Sequence, residues 1–175
     1  MRFPALIAVP AIALALAGCS AQEPATQPTT STEVKPLFSS DEEALAAAEA
    51  AYANYLQVSD QIARDGGANP ERLKGLVSEN LYVESNSVFA SYRENLIRVE
   101  GSTTFDSLHV AEVLNASSSF YVCLDVGQTS LLDSDGNDKT PAGREPRLPL
   151  VISLGHIGKT FIIESSEVWT GRNFC

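Results

Sequence analysis

The chain has 175 residues, of which 44% are hydrophobic and 19% charged, and its formal net charge at pH 7 is -10. This length predicts one folded domain that can bury a substantial core. The acidic balance, with no cluster of Lys and Arg, argues against nucleic acid as a partner, because surfaces that bind phosphates concentrate positive charge.

The first 18 residues have the features of an export signal. Arg2 supplies a basic start, and residues 3–17 form an apolar run that is shorter than the ~20 residues of a membrane-spanning helix. The run ends in Leu16-Ala17-Gly18-Cys19, which looks like a bacterial lipobox. The pattern predicts cleavage before Cys19 and attachment of acyl chains, such as palmitate, to its thiol. An ordinary secretory signal or an uncleaved anchor is the alternative.

These features predict an extracytoplasmic location at the cell membrane, held there by the lipid on Cys19. Two or three acyl chains anchor a protein stably, whereas a single chain is marginal. Residues 19–38 are rich in Ser, Thr, Gln and Pro and contain little to bury, which is typical of a disordered tether. We therefore expect a signal peptide over 1–18, a lipidated tether over 19–38 and a folded domain over 39–175.

Helix signals open the domain. Ser40-Asp41-Glu42-Glu43 has the form of a capping box, and apolar residues follow at helical spacing up to Gly66-Gly67. The pattern predicts a helix over 41–64. Asn69-Pro70 predicts a short second helix over 71–77, and Ser78 predicts the start of a third helix that runs from 79 to about 92.

After residue 95 the hydrophobic period changes from 3.6 to 2, which indicates strands. Helices followed by a run of antiparallel strands indicate the α+β class, with the N-terminal helices packed on a curved antiparallel β-sheet. The predicted strands cover residues 96–100, 102–114, 120–126, 148–154 and 160–169.

The element order and a set of short motifs together resemble a known superfamily. The motifs are 50–55 (AAYANY), 65–73 (DGGANPERL), 100–105 (EGSTTF), 122–125 (VCLD) and 169–175 (WTGRNFC). The chain is similar over 40–175 to the nuclear-transport-factor-two-like (NTF2-like), or cystatin-like, α+β rolls, and more closely to actinobacterial lipoproteins with that fold. The resemblance implies a cone-shaped roll, a disulfide and an extracytoplasmic location, but no activity.

The cysteine count is consistent with export. With Cys19 used for lipid attachment, Cys123 and Cys175 remain, and an even number in an oxidising compartment favours a disulfide. That bond would close a loop of about 50 residues, which the chain-entropy model values at about 4 kcal/mol. Two buried free thiols are the alternative.

The acidic stretch 133–138 invites a calcium interpretation that its spacing does not support. An EF-hand loop has Gly at its sixth position and Glu at its twelfth, and counting from Asp133 those positions hold Asp138 and Arg144. A turn between strands is the better interpretation. The two histidines, His109 and His156, lack the spacing of a zinc site. We therefore predict no metal and no cofactor.

The resemblance also implies a pocket between the sheet and the first helix, as rolls of this kind enclose one there. Alternation places His109 on the same strand face as Phe105 and Val113, where Tyr52, Tyr55 and Asp60 of the helix could supply partners for a ligand or a proton transfer. A histidine that is merely solvated or satisfied is the alternative. A second candidate, an aromatic ligand surface, is formed by Tyr121, Trp169 and Phe174; packing around the disulfide is its simpler interpretation.

Three classes of function follow. The first is a non-catalytic binding or scaffolding domain displayed outside the cytoplasm, with an envelope protein as the unknown partner. The second is a protein that holds a small apolar ligand in its pocket. The third is an enzyme of the isomerase or dehydratase kind, which fold similarity alone does not establish. No catalytic residue is assigned.

Overall fold

The computed structural model describes residues 38–113, 117–158 and 160–175. The predicted signal peptide, the lipidation site Cys19 and the tether as far as residue 37 lie outside the described residues. The described part falls within one unit, Lys35–Cys175. Its elements are α1 (Asp41–Arg64), a 3-10 helix (Pro70–Leu73), α2 (Glu79–Asn95), β1 (Arg98–Glu100), β2 (Thr104–Val113), β3 (Ser117–Asp125), β4 (Ser130–Leu132), β5 (Arg147–Ile157) and β6 (Thr160–Val168).

The capping signals set the start of both α-helices. The Ser40 hydroxyl accepts a hydrogen bond from the backbone N–H of Glu43 at 3.2 Å, and the Ser78 hydroxyl accepts one from Leu81 at 3.2 Å. At the end of α1, Gly67 has φ +82°, and an added Cβ there would overlap the carbonyl of Phe89. The predicted bounds of α1 are therefore confirmed, because its signals are local in sequence.

The short second helix predicted over 71–77 is wrong. Only Pro70–Leu73 is helical, as a 3-10 turn, and Gly75 then adopts φ +82°. The residues that follow lie along the edge of β6 instead, where Ile163 donates to the carbonyl of Leu76 at 2.9 Å and accepts from Ser78 at 2.8 Å. Hydrogen bonds to a distant strand thus replace those of a helix.

The strands form two antiparallel sheets among the described residues. One has four strands in the order β2-β3-β5-β6, and the other is a ribbon of β1 and β4. The strand β4 was not predicted, since its three residues, Ser130–Leu132, are too few to show an alternating pattern. The strands that the sequence predicted as one run therefore belong to two separate sheets.

The core lies between the helices and the four-stranded sheet. Each fully buried large apolar side chain there contributes about 1.5–3 kcal/mol relative to an exposed position. The predicted fold class, helices packed on a curved antiparallel sheet, is confirmed. No helix in the described part of the chain is long and apolar enough to cross a bilayer. The largest fully buried side chains are Tyr52, Ile62, Leu73, Phe120, Val122, Cys123, Ile152, Leu154 and Ile163.

Candidate functional site

Tyr52, predicted to line a pocket, is part of the core. Its side chain is 1% exposed, and its ring packs edge-on against Phe105 with centroids 5.1 Å apart. Burial raises the pKa of Tyr52 far above its ordinary value, although a hydrogen bond with Ser166 opposes the shift. The phenol therefore stays protonated at physiological pH, and its surroundings are those of a packing residue.

Tyr55 borders a cavity of about 280 Å³ that is also lined by α2 and by residues of β1 and β4. Burial raises the pKa of Tyr55, and its hydroxyl is hydrogen-bonded to Ser85. Tyr52 is the neighbour of Tyr55, with ring centroids 5.9 Å apart. The structure thus brings the two predicted tyrosines together, but only Tyr55 reaches the cavity.

Two charged side chains around this cavity form hydrogen bonds to other residues of the chain. Asp60 accepts hydrogen bonds from the backbone N–H and the hydroxyl of Thr103, both at 2.8 Å. Arg144 donates to the carbonyls of Val126 at 2.9 Å and Thr129 at 2.6 Å. These contacts connect α1 to the start of β2 and hold the loops on either side of β4. Both charged groups therefore have a structural role.

His109 lies on the other face of the sheet, away from Tyr52 and Tyr55. Asp106 pairs with Cys123, but the next paired residue of β2, His109, faces Tyr121, so β2 contains one extra residue. Ser107 in this bulge has φ +57°. Because a bulge reverses the alternation beyond it, the prediction that His109 shares a face with Phe105 is wrong.

An ion-pair network accompanies the bulge. Arg147 of β5 contacts Asp106 at 2.9 Å and Asp125 at 3.1 Å. Its hydrogen bonds lower the pKa of the Asp106 carboxyl below the ordinary value, with a further contribution from Ser107. The carboxylate form of Asp106 thus links an outer strand, across β3, to β5.

The face of the sheet that carries His109 also carries a group of aromatic rings, which we term the aromatic cluster: His109, Tyr121, Trp169 and Phe174. Tyr121 is central, with ring centroids 5.0 Å from Trp169, 5.7 Å from Phe174 and 5.3 Å from His109. Together with Arg172 these residues line a depression of about 300 Å³. The sequence indicated three of the rings; the fourth, His109, joins them because of the bulge.

Cys123 and Cys175 lie at disulfide distance, with their Cα atoms 5.5 Å apart. Such a separation matches the spacing that a disulfide requires. Cys123 is fully buried, and Cys175 is exposed at the end of the segment that carries Phe174. The predicted pairing of these two cysteines therefore has the required geometry, and it lies directly beside the aromatic cluster.

A larger concavity, the α1–β2 groove, runs between the exposed side of α1 and the start of β2 and has a volume of about 670 Å³. Arg64, one of its lining residues, donates to the carbonyl of Gly101 at 3.0 Å. This groove could not be predicted from the sequence, because alanines in a helix are first interpreted as helix formers. Its other lining residues are Ala46, Glu49, Ala50, Ala53, Leu56, Gln57, Asp60 and Ser102 to Phe105.

The two outer strands of the four-stranded sheet differ in how they are covered. At the β6 edge, Val77 forms a parallel bridge with Ile163, and the hydrogen bonds of Leu76 and Ser78 flank it. Within the described residues, β2 pairs only with β3, so its outer edge has no strand partner. The α1–β2 groove, which Thr104 and Phe105 of β2 line, therefore lies beside a sheet edge that no described strand pairs with.

The acidic stretch 133–138 forms a turn. The Asp133 carboxylate accepts hydrogen bonds from the backbone N–H groups of Asp135 at 3.0 Å and Asn137 at 2.8 Å. Hydrogen bonds from Asn137, then from Lys139 and Asp135, lower the pKa of Asp133 to about 2. The turn interpretation is confirmed. Over the described ranges, no three His, Cys, Asp or Glu side chains are grouped so as to hold a metal ion.

Comparison with known proteins finds similarity at the level of structure. No protein-family model matches the chain, and no curated protein sequence matches it. The intermembrane space region of the chloroplast protein ARC6 aligns with a TM-score of 0.55 and 12% identity, over 73% of this chain and 97% of that one.

Two further structures align less well. Aln2 from a Streptomyces species gives a TM-score of 0.44 at 13% identity over 72% of this chain and 90% of its own. A variant of Rd1NTF2_05 gives 0.37 at 13% identity over 67% and 96%. Scores this low support no inference. The chain is thus similar in fold to the intermembrane space region of ARC6, and this likeness concerns the fold alone.

Proposed function

We propose that this chain is a lipid-anchored binding or scaffolding domain of the NTF2-like kind, displayed outside the cytoplasm, and that it holds a protein partner in the α1–β2 groove. One observation carries the proposal: the groove of about 670 Å³ lies beside an outer strand, β2, that has no strand partner among the described residues. The opposite edge, at β6, is bridged at Ile163 by the chain's own residues 76–78.

The groove suits an extended segment of a partner protein. An uncovered strand edge offers backbone hydrogen bonds to an added strand, and a neighbouring groove can select alternate side chains of that strand. Ala46, Ala50 and Ala53 leave room for such a segment along α1. The net charge of -10 favours a partner segment that is neutral or basic.

A charge placed in the groove is expected to weaken partner binding strongly. Ala53 and Asn54 are neighbouring exposed residues of α1, and only Ala53 lines the groove. Ala53→Arg fills the groove, whereas Asn54→Arg adds the same charge outside it. We expect a partner to co-purify from detergent-solubilised envelopes with the wild type and with Asn54→Arg. With Ala53→Arg, the amount of partner recovered should fall about tenfold or more. Equal recovery with both variants would exclude the groove.

The anchor is proposed from the lipobox, Leu16 to Cys19. We expect Cys19→Ala to abolish acyl mass in mass spectrometry of the protein and to prevent normal processing. If the wild-type protein carries no acyl mass, or if Cys19→Ala leaves its processing and attachment unchanged, lipidation at Cys19 is wrong, and the segment is an ordinary secretory signal or an uncleaved anchor. The wild-type protein analysed in the same preparation is the control.

A small apolar ligand in the cavity beside Tyr55 is the second candidate. Apolar side chains of Val88, Phe89, Val99 and Leu131 contribute to its wall. Its volume of about 280 Å³ lies at the lower limit of ligand pockets, for which about 300–1,000 Å³ is typical. We place an isomerase-like enzyme last, because the β2 bulge separates His109 from the two tyrosines that were its expected partners.

A further inference from the structure

The aromatic cluster is held in position by the backbone around it. The backbone N–H of Trp169 donates to the carbonyl of Pro149 at 2.8 Å, and Pro149 is paired with Cys123. The indole of Trp169 lies so close over Gly171 that any Cβ there would overlap the ring. Phe174 precedes Cys175, which lies at disulfide distance from Cys123. The walls of the depression are therefore set before any ligand arrives, which lowers the entropic cost of binding.

The polar groups at the cluster have no protein partner among the described residues. In the part of the chain that the structure describes, the indole N–H of Trp169, the hydroxyl of Tyr121 and the guanidinium of Arg172 have no hydrogen-bond partner or ion pair. Arg172 is exposed, and Tyr121 and Trp169 are half-buried. Packing around a disulfide accounts for the aromatic rings, but it does not account for these hydrogen-bond donors.

The combination selects a class of ligand. A cation would be repelled by Arg172, although aromatic faces alone would attract it. An apolar chain would cover the donors and leave them unpaired, which costs about 1–3 kcal/mol for each buried group. A sugar ring satisfies both features, since its C–H face packs on aromatic rings while its hydroxyl and acetamido oxygens accept hydrogen bonds.

We propose that the aromatic cluster is a second binding site, which takes a pyranose ring of an oligosaccharide. The ring stacks on the aromatic faces of Tyr121, Trp169 and Phe174, and Arg172 donates to its oxygens. The depression of about 300 Å³ accommodates a ring of the chain, with the remainder of the oligosaccharide along the surface. The site lies on the opposite face of the sheet from the helices, so this proposal does not depend on the α1–β2 groove.

Trp169 is the only tryptophan of the chain, so its fluorescence reports on this site alone. The full-length protein, extracted in a detergent without a sugar headgroup, is titrated with chitotetraose, the tetramer of N-acetylglucosamine. We expect a saturable change in Trp169 emission. Arg172→Ala is expected to weaken the fitted affinity about tenfold, because a hydrogen bond from a charged donor is lost. The control is Arg98→Ala, which removes a half-buried arginine that pairs with Glu100 away from the aromatic cluster and should leave the affinity unchanged.

Phe174→Leu, which keeps most of the apolar bulk but removes the flat face, provides a second variant and is also expected to weaken binding. The proposal is overturned if chitotetraose gives no saturable change, if polyethylene glycol of equal mass gives the same one, or if Arg172→Ala and Phe174→Leu both bind like the wild type. Because Arg172 is exposed, its substitution does not threaten the fold.

Discussion

Replacement of Cys123 or Cys175 by serine is expected to lower the free energy of unfolding by about 2–5 kcal/mol. The two residues are separated by 52 positions, and a cross-link over such a distance removes much of the entropy of the unfolded chain. Cys123 is fully buried on the face of the sheet opposite the helices, so a serine there also places a hydroxyl out of reach of water. Urea denaturation of the oxidised protein at neutral pH measures the loss.

The double variant is the control for this prediction. If one bond accounts for the effect, Cys123→Ser together with Cys175→Ser costs no more than the more destabilising single variant. Reduction of the wild type should lower its stability by a similar amount and should alter Trp169 emission, because Phe174 is then no longer fixed beside Tyr121. Equal stability with and without reductant, or two titratable thiols in the native protein, would contradict the disulfide.

The parts of the fold that sequence could predict are those with local signals. The start of α1 depends on Ser40 and its end on Gly66 and Gly67, all within one turn of the helix ends. Alternation in β3 is clear because Phe120 and Val122 are both fully buried on one face. Residues close in the chain determine these features, and so a single sequence reveals them.

The parts that failed depend on contacts between distant residues. The segment around Leu76 joins the edge of β6, and β4 exists only because it pairs with β1. The bulge at Ser107 moves His109 to the aromatic cluster and out of the predicted pocket. A bulge adds one residue without changing the polarity of its neighbours, so it cannot be recognised from the hydrophobic pattern of β2.

The α1–β2 groove shows the same limit for a candidate site. It combines alanines of α1 with residues 102–105, about 50 positions later in the chain. The alanines have a sufficient local explanation as helix formers, and Thr103 and Thr104 read as ordinary strand residues. The two sets of residues form a groove only in the folded chain, where Asp60 accepts hydrogen bonds from Thr103 and so holds the strand beside the helix.

Tyr52→Ala is expected to lower the free energy of unfolding by about 3–5 kcal/mol, comparable to the loss of other large core rings. Tyr52 is 1% exposed, and its removal leaves a cavity between α1 and the sheet beside Phe105 and Tyr55. Tyr52→Phe keeps the ring and removes only the hydroxyl that bonds Ser166, so we expect a loss of about 0.5–1.5 kcal/mol. Denaturant unfolding of both variants measures the difference.

Val83→Ala is the matched surface control, because Val83 lies on α2 and is 59% exposed; its effect should stay within about 0.5 kcal/mol. The ratio of the losses in unfolding free energy caused by the two Tyr52 substitutions distinguishes a packing residue from a functional one. A ring that packs the core makes Tyr52→Ala several times more costly than Tyr52→Phe. If Tyr52→Phe instead stabilises the protein, the buried hydroxyl lowers the stability of the wild type. Groups retained for binding or chemistry often have such a cost, so Tyr52 would again be a candidate site residue.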